Sequence, residues 1–291
     1  MNNRTRLQEL ALTAPSFVWL CLFFLIPTLI IFTFAFKPYD VYGSILDGWT
    51  LETIYNLFNH SFLVVFWRTI WISLVTTVIC LSLSLPIGYY LARTTSKLRH
   101  IFLILVVMPF WSSFLVRVFA WKSILHPEGV FKKMLVVLHI VNADTLLLYN
   151  PGAVLLVLVY SYVPFGILPI YAAASKFNFD LLDAAMDLGA SQLQAFFRVF
   201  IPGIKAGILT STVMVLIPTI GAYVIPDVVG GHNSEMIGNK IAQWIFVDRN
   251  LPQASALAAF LALLVLVPMI VLGLYSSRVE RNSITDARGK Q

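Results

Sequence analysis

Charge is what this sequence has least of. Asp, Glu, Lys and Arg make up 12% of its 291 residues and hydrophobic residues 59%, against the roughly 25% charged residues of an ordinary soluble domain. Mean hydropathy is +0.83. A globule of this size with so little charge cannot cover its surface for water, so its solvent is lipid. Cysteine is also scarce. Cys21 and Cys80 each lie inside an apolar run, which excludes a disulfide framework and a paired-cysteine metal site. The five histidines, His60, His100, His126, His139 and His232, have no ligand spacing. No G-x-x-x-x-G-K-[ST] sequence is present, so nucleotide phosphates are not cradled here in the usual way. G-x-S-x-G and H-E-x-x-H are missing too, and no catalytic role is expected. The net charge of +6 and pI near 9.3 would suggest nucleic acid in a soluble protein. Here the basic residues sit in short loops between apolar runs, the pattern of topology control, and no nucleic-acid partner is expected.

What is there is a succession of apolar segments. Six have the length of roughly 20 residues that a helical crossing needs: about 16–36, 69–92, 101–121, 152–174, 206–226 and 253–275. None contains Asp or Glu. Helices satisfy every backbone group within the segment, and the alternating ten-residue pattern of an outer-membrane barrel is absent. The sequence therefore predicts an all-α membrane protein of six transmembrane helices. Arg4 and Arg6 imitate a signal peptide, but the run to Phe36 is too long for a signal core and no small-x-small site follows. It reads as an uncleaved first span. Proline occurs in every span: Pro27, Pro86, Pro109, Pro164 with Pro169, Pro218 with Pro226, and Pro268. Each removes a helical hydrogen bond and favours a kink.

Orientation follows from the basic residues. With the N-terminus inside, the inner pieces hold Arg4, Arg6, Arg93, Lys97, Arg99, Lys176, Arg198, Lys205, Arg278, Arg281, Arg288 and Lys290, and the outer pieces Lys37, Arg68, Lys122, Lys132, Lys133, Lys240 and Arg249. The inner excess places both termini in the cytoplasm, with 1–15 an inner N-terminus and 276–291 an inner tail. The outer loops also carry eight acids, Asp40, Asp47, Glu52, Glu128, Asp144, Asp227, Glu235 and Asp248. That suits ordinary loop solubility or an entrance tolerant of cations.

Residues 175–205, SKFNFDLLDAAMDLGASQLQAFFRVFIPGIK, are longer than a turn requires. Asp180 is placed to cap a first helix with Asp183 three residues on, and Leu181, Leu182, Ala185 and Leu188 form an apolar face. Gly189 suits the left-handed residue that ends a helix. Ser191 and Gln194 make an S-x-x-Q capping box for a second helix, which Pro202 ends or bends. A docking corner for another protein and an amphipathic hairpin lying on lipid fit this pattern equally well.

The run D-A-A-M-D-L-G-A-S-x-x-x-x-F-x-x-V-x-I-P resembles the EAA loop of ABC-importer permeases, through Asp183, Ala184, Ala185, Gly189, Ala190 and Pro202. Asp183 stands where that family has Glu, keeping the charge and shortening its reach. The segments 108–121, 160–173 and 217–241 resemble spermidine/putrescine-type permeases. The resemblance implies the ABC-importer permease (MetI-like) fold with a cytoplasmic coupling helix between spans four and five, in a bacterial inner membrane. It implies a second homologous permease subunit, an ABC ATPase dimer carrying ATP and magnesium, and a periplasmic or lipid-anchored solute-binding protein. A polyamine is the implied solute, and no cofactor is bound by this chain.

For a cationic solute, Trp111 is a candidate pathway contact, since an ammonium over its ring gains about 0.5–2 kcal/mol, and Tyr160, Tyr162 and Tyr223 are candidates for lining a polar channel. Asp227 and Glu235 are candidates at the outer mouth, beside Gly230-Gly231, which suits a flexible turn. For the tyrosines the bland alternative is a hydrogen bond to a neighbouring helix, for Trp111 packing or an interfacial belt, for the acids a solvated loop. Trp111, Phe114 and Arg117 fall within roughly 120° on one helix. Arg117 repels a cation and is expected to pair with a loop acid or a partner-subunit carboxylate, in a structural or gating role. Permeases for thiamine, phosphonate or ferric ion share the loop motif and remain alternatives. A stand-alone channel or proton-coupled carrier is the rival from another class, though such carriers commonly place acids at membrane depth. A membrane enzyme is more distant.

Overall fold

A computed structural model describes residues 13–288 except 41, 59, 95 and 143, and side chains to residue 270 with 60, 96 and 268 excepted. Most of the expected 1–15 terminus and the last three residues of the expected 276–291 tail lie outside the described residues. The architecture is helical: α1 (Thr13–Phe34), α2 (Glu52–Tyr55), α3 (His60–Arg93), α4 (Ser96–Val107), α5 (Phe114–Leu125), α6 (Val130–Val137), α7 (Pro151–Ala174) and α8 (Asp180–Asp187). Then follow α9 (Gln192–Gly203), α10 (Lys205–Ile220), α11 (Ile237–Phe246) and α12 (Leu251–Arg288). Three of these are long and apolar enough to cross a membrane, or up to five spans if each of two bent pairs counts as one; Leu251–Val267 is a shorter apolar stretch.

The expected straight span over 101–121 is not one helix. α4 runs into a tight turn at Met108–Trp111. Ser112 (φ −91°, ψ 151°) and Ser113 (φ −58°, ψ 138°) are then extended, and the chain turns by 90° into α5. Pro109 lacks an N–H to continue the ladder, and the Ser112 hydroxyl donates to the Pro109 carbonyl at 2.9 Å, a local bond that competes with helix. Trp111 therefore does not share a helix with Phe114 and Arg117. The expected span 206–226 likewise stops at Ile220, beyond which Pro226–Gly230 forms a single wide turn.

The chain divides into two compact units. In one, residues 13–63 and 240–288, α1 packs along α12, and Phe58, Phe62 and Phe260 meet edge to face with centroids 5.6–6.1 Å apart. The other, residues 64–239, is organised around α7. Asn150 caps α7 by accepting from the Ala153 N–H at 2.9 Å, and Pro151 occupies the first turn, where its missing N–H costs nothing. The Ala153–Leu158 half of α7 joins Ile72, Val118, Leu125, Leu148, Ile225, Val229 and Met236 in one buried cluster. Its Ile170–Ala174 end joins Leu182, Ala195, Phe200 and Ile204 in a second. A 24-residue helix is about 36 Å long, and the nearest members of the two clusters on it, Leu158 and Ile170, are about 18 Å apart.

Small residues bring the helices together, as expected where lipid offers no hydrophobic drive to association. α7 and α10 form the most extensive helix–helix contact. Gly207 lies against Ala173 and the Pro169 carbonyl, and Gly166 against Ser84 and Ser211. The Ser211 hydroxyl donates to the Gly166 carbonyl at 2.9 Å. Thr69, Thr77, Thr212 and Thr219 bond the carbonyl one turn back on their own helices. A Cβ at Gly207 would collide with Ala173, a short and inflexible neighbour. Gly207→Ala is therefore expected to destabilise by about 1–3 kcal/mol through overpacking, read as a lower midpoint of thermal unfolding for the detergent-purified protein, while Ala206→Gly on the exposed side shifts it less.

Candidate functional site

The segment 175–205 forms a bent corner, and each of its turns has a local cause. Asn178, two positions before the expected cap, accepts from the Asp180 N–H at 3.0 Å. Asp180 is the first residue of α8 and supplies no cap, and Asp183 lies in the same first turn. Both carboxylates complement the positive end of the helix dipole. α8 ends at Gly189, whose φ of +91° is left-handed, where any other residue pays strain. Ser191 and Gln194 then form the full capping box: the Gln194 N–H donates to Ser191 Oγ at 3.3 Å and the Ser191 N–H to Gln194 Oε1 at 3.0 Å. α9 widens at Phe196–Phe200 and breaks after Pro202, at Ile204 (φ −106°, ψ 18°), with a 75° turn into α10.

Most of the expected corner residues share the outward side. Asp183, Ala184, Gly189 and Pro202 are exposed and Ala185 and Ala190 half-buried. Nothing lies within 4 Å of where a Gly189 Cβ would sit, so that corner is open to an approaching partner. The predicted apolar face of α8 divides: Leu182 is buried, whereas Leu181 is exposed and Leu188 is 90% exposed at the tip. Leu193 and Phe197 add exposed apolar surface on α9.

The underside is fastened by rings the sequence did not single out. Phe200 is fully buried, 5.0 Å from Tyr89, 5.2 Å from Phe196 and 5.4 Å from Phe177. Tyr89 also meets Phe179 and Phe196 edge to face. The Arg93 guanidinium donates to the Tyr89 hydroxyl at 2.7 Å and lies 5.6 Å over Phe179. α3, the end of α7, α8 and α9 thus share one aromatic core. Beside it, an open cavity of about 450 Å³ is bounded by Tyr89, Arg93, Leu182, Met186, Leu193 and Phe196.

The candidate pathway residues are only partly gathered. Tyr223 and Asp227 share one turn, the Asp227 N–H donating to the Tyr223 carbonyl at 3.0 Å. Asp227 is exposed. Glu235 Oε1 lies 3.2 Å from His232 Nδ1 in the same segment. Gly231 (φ +64°) is packed against the Tyr149 carbonyl, a crowded bend rather than the flexible turn expected. Tyr160 pairs with Trp121 at 5.2 Å. Tyr162 donates to the Pro218 carbonyl at 3.4 Å, the helix-to-helix role. Trp111 is strongly exposed in the turn before α5. Arg117 faces rings, its guanidinium 5.2 Å from Phe110 and 6.0 Å from Phe114. Its Nε is buried without a hydrogen-bond partner, and among the described residues no acid pairs with it.

Among the described residues no three side chains could together hold a metal. A lipid-dwelling helical bundle with an exposed, ring-braced polar corner is the scaffold of a membrane transport component. Residues 84–281 match the family described as binding-protein-dependent transport system inner membrane component, and the chain belongs to that family. It is 35% identical over 92% of its length to the spermidine/putrescine transport system permease protein PotB of Haemophilus influenzae, covering 95% of that protein. The PotB of Escherichia coli K12 is 31% identical over 87% of this chain and 92% of its own. Another E. coli K12 relative, the inner membrane ABC transporter permease protein YdcU, is 31% identical over 85% of this chain and 80% of its own. A chain of a bacterial alginate ABC transporter, crystallised with an alginate pentasaccharide-bound periplasmic protein, shares the fold with a TM-score of 0.72, at 17% identity over 95% of this chain and 96% of that one. The chain is thus an inner-membrane, multi-pass ABC importer permease.

Phe200→Ala is expected to destabilise the corner by about 3 kcal/mol or more, whereas Phe197→Ala, an exposed ring, leaves stability nearly unchanged. Limited proteolysis between 175 and 205 distinguishes them: cleavage accelerates in the first variant and stays at the wild-type rate in the second.

Proposed function

We propose that this permease passes a polyamine, spermidine or putrescine, across the membrane, with α8 and α9 as the coupling element gripped by a separate ATPase dimer. The observation that carries the reading is the corner itself. An exposed tip of Leu188 and Gly189 stands over a buried aromatic core that reaches α3, α7 and α10, so force at the tip is delivered to helices in the membrane. The similarity to PotB over nearly the whole chain supports the choice of solute.

In this reading the chain makes six crossings: α1, most of α3, the bent pair α4–α5, α7, α10 and the apolar part of α12. Both termini are cytoplasmic, with 1–15 and 276–291 as tails, 16–275 as the membrane domain and 175–205 as its inner coupling loop. A second homologous permease completes the channel, and a periplasmic or lipid-anchored protein delivers the solute outside. This chain binds no cofactor, and ATP with magnesium sits on the ATPase. Asp183 offers a charge to the ATPase, and Ala184, Ala185, Gly189 and Ala190 admit it closely, while Pro202 sets the bend into α10. On the outer side, exposed Asp227 with Glu235 attracts the cation. Trp111, Tyr160 and Tyr223 offer ring faces to its ammonium groups, and Tyr162 holds the wall in place.

Gly189→Trp tests the coupling role. Alanine there meets no neighbour and costs about 1 kcal/mol of backbone strain, so insertion survives in both variants. The tryptophan variant is expected to hydrolyse ATP in proteoliposomes while losing at least tenfold in labelled spermidine uptake. Normal uptake per ATP would remove the docking role from this corner. Competition by unlabelled putrescine, but not thiamine or phosphonate, is the expected mark of the solute.

A further inference from the structure

α3 and α4 leave a groove between them that the transport reading does not use. It is lined almost wholly by apolar atoms of Pro86, Ile87, Tyr90, Phe102, Leu105 and Val106, with a volume of about 490 Å³. The Tyr90 and Phe102 rings, 6.1 Å apart and edge to face, close the end nearest the α3–α4 turn. One helical turn beyond that end the chemistry changes. Arg99, Phe102 and Val106 are spaced i, i+3 and i+7, so they share one face of α4. Lys97, in the first turn of the same helix, is exposed but lies about 200° round from Arg99. Neither α3 nor α4 contains an acid. The acid nearest to Arg99 in the chain's order is Glu128, which the proposed topology places outside. On the inner side Asp180, Asp183 and Asp187 lie on α8, and Arg93 is turned to that side, against Tyr89 and Phe179. Arg99 is thus left as the basic group over an apolar slot.

We infer that this groove binds one anionic phospholipid, an acyl chain lying between α3 and α4 with its phosphate at Arg99. The slot alone fits any chain-like apolar group. The guanidinium selects the occupant, because juxtamembrane basic side chains draw anionic headgroups and basic pockets between membrane helices hold them. A second permease subunit seated here would have to leave that cation facing its apolar surface. Under the topology proposed above the lipid belongs to the inner leaflet. Its Tyr90 end lies one residue along α3 from Tyr89 of the corner's aromatic core, so the lipid braces the same stretch of α3 that carries the coupling element.

The test uses the full chain in its assembled transporter, in nanodiscs of dioleoylphosphatidylcholine with or without dioleoylphosphatidylglycerol, with retained lipids counted by native mass spectrometry. The wild type is expected to retain one phosphatidylglycerol in preference to phosphatidylcholine. Arg99→Gln is expected to lose that preference by about fivefold, whereas Lys97→Gln, on the other side of α4, keeps it. Val106→Trp fills the slot without touching charge and is expected to abolish retention. Ile104→Trp, on the exposed opposite side of α4, keeps it. Equal retention of the two lipids, or retention unchanged in Arg99→Gln, overturns the proposal. So does displacement by inorganic phosphate with Val106→Trp unaffected, which marks an ion site, and so does a cross-link from Tyr90→Cys to the second permease, which marks a subunit interface.

Discussion

Phe200 is the point on which this structure turns. It has no exposed surface, and it joins the ring of Tyr89 on α3, Phe177 beyond α7, Phe179 ahead of α8 and Phe196 on α9. A polar corner held by backbone hydrogen bonds alone would give way under load, since each such bond contributes only about 1 kcal/mol net. Aromatic pairs add roughly 0.5–1.5 kcal/mol each beyond the area they bury, and here several share one core. In the coupling role proposed for it, the corner would move as a body with the helices it touches.

In that proposed role the rest of the 64–239 unit would carry the movement. Glycine and serine at Gly166, Ser84, Ser211 and Gly207 let α7 and α10 lie close, and closely packed helices slide or rotate as units rather than deform. The helices break at two places: the 75° turn after Pro202 and the 90° turn at Ser112–Ser113. At the far end of α7 the segment from Ala222 to Met236 is packed into the other buried cluster, and there Tyr223, Asp227 and Glu235 stand. A single helix, with Pro164 and Pro169 inside it, thus links the proposed motor end to the proposed entrance.

What could be read from the sequence was what local chemistry decides. Gly189 and the Ser191–Gln194 box specify their own backbone, so the two helices and the corner between them were legible in order. The side chain that bonds the first N–H of α8 is Asn178, two residues before the expected Asp180, because the two have the same chemistry and only geometry chooses between them. The break at Ser112–Ser113 was hidden because hydropathy averages over a window: two serines between Trp111 and Phe114 barely lower it, yet they are enough to turn the chain. The aromatic core was invisible for another reason. Tyr89 and Phe200 are 111 positions apart, and no periodicity reports a contact at that separation. Arg117 was expected to meet a carboxylate and instead faces Phe110 and Phe114, because the turn at Pro109 folds Phe110 back beside it.

The central claim is that the Leu188 tip is the surface a separate ATPase grips. The most direct measurement places a photo-crosslinking residue at Leu188, which is 90% exposed, in the reconstituted transporter, and identifies the adduct. The account predicts a cross-link to the ATPase subunit whose formation stops ATP-driven spermidine uptake. An adduct formed only with lipid, or a tip that reacts with an impermeant reagent from the outer face of sealed vesicles in the cell's own orientation, would contradict it.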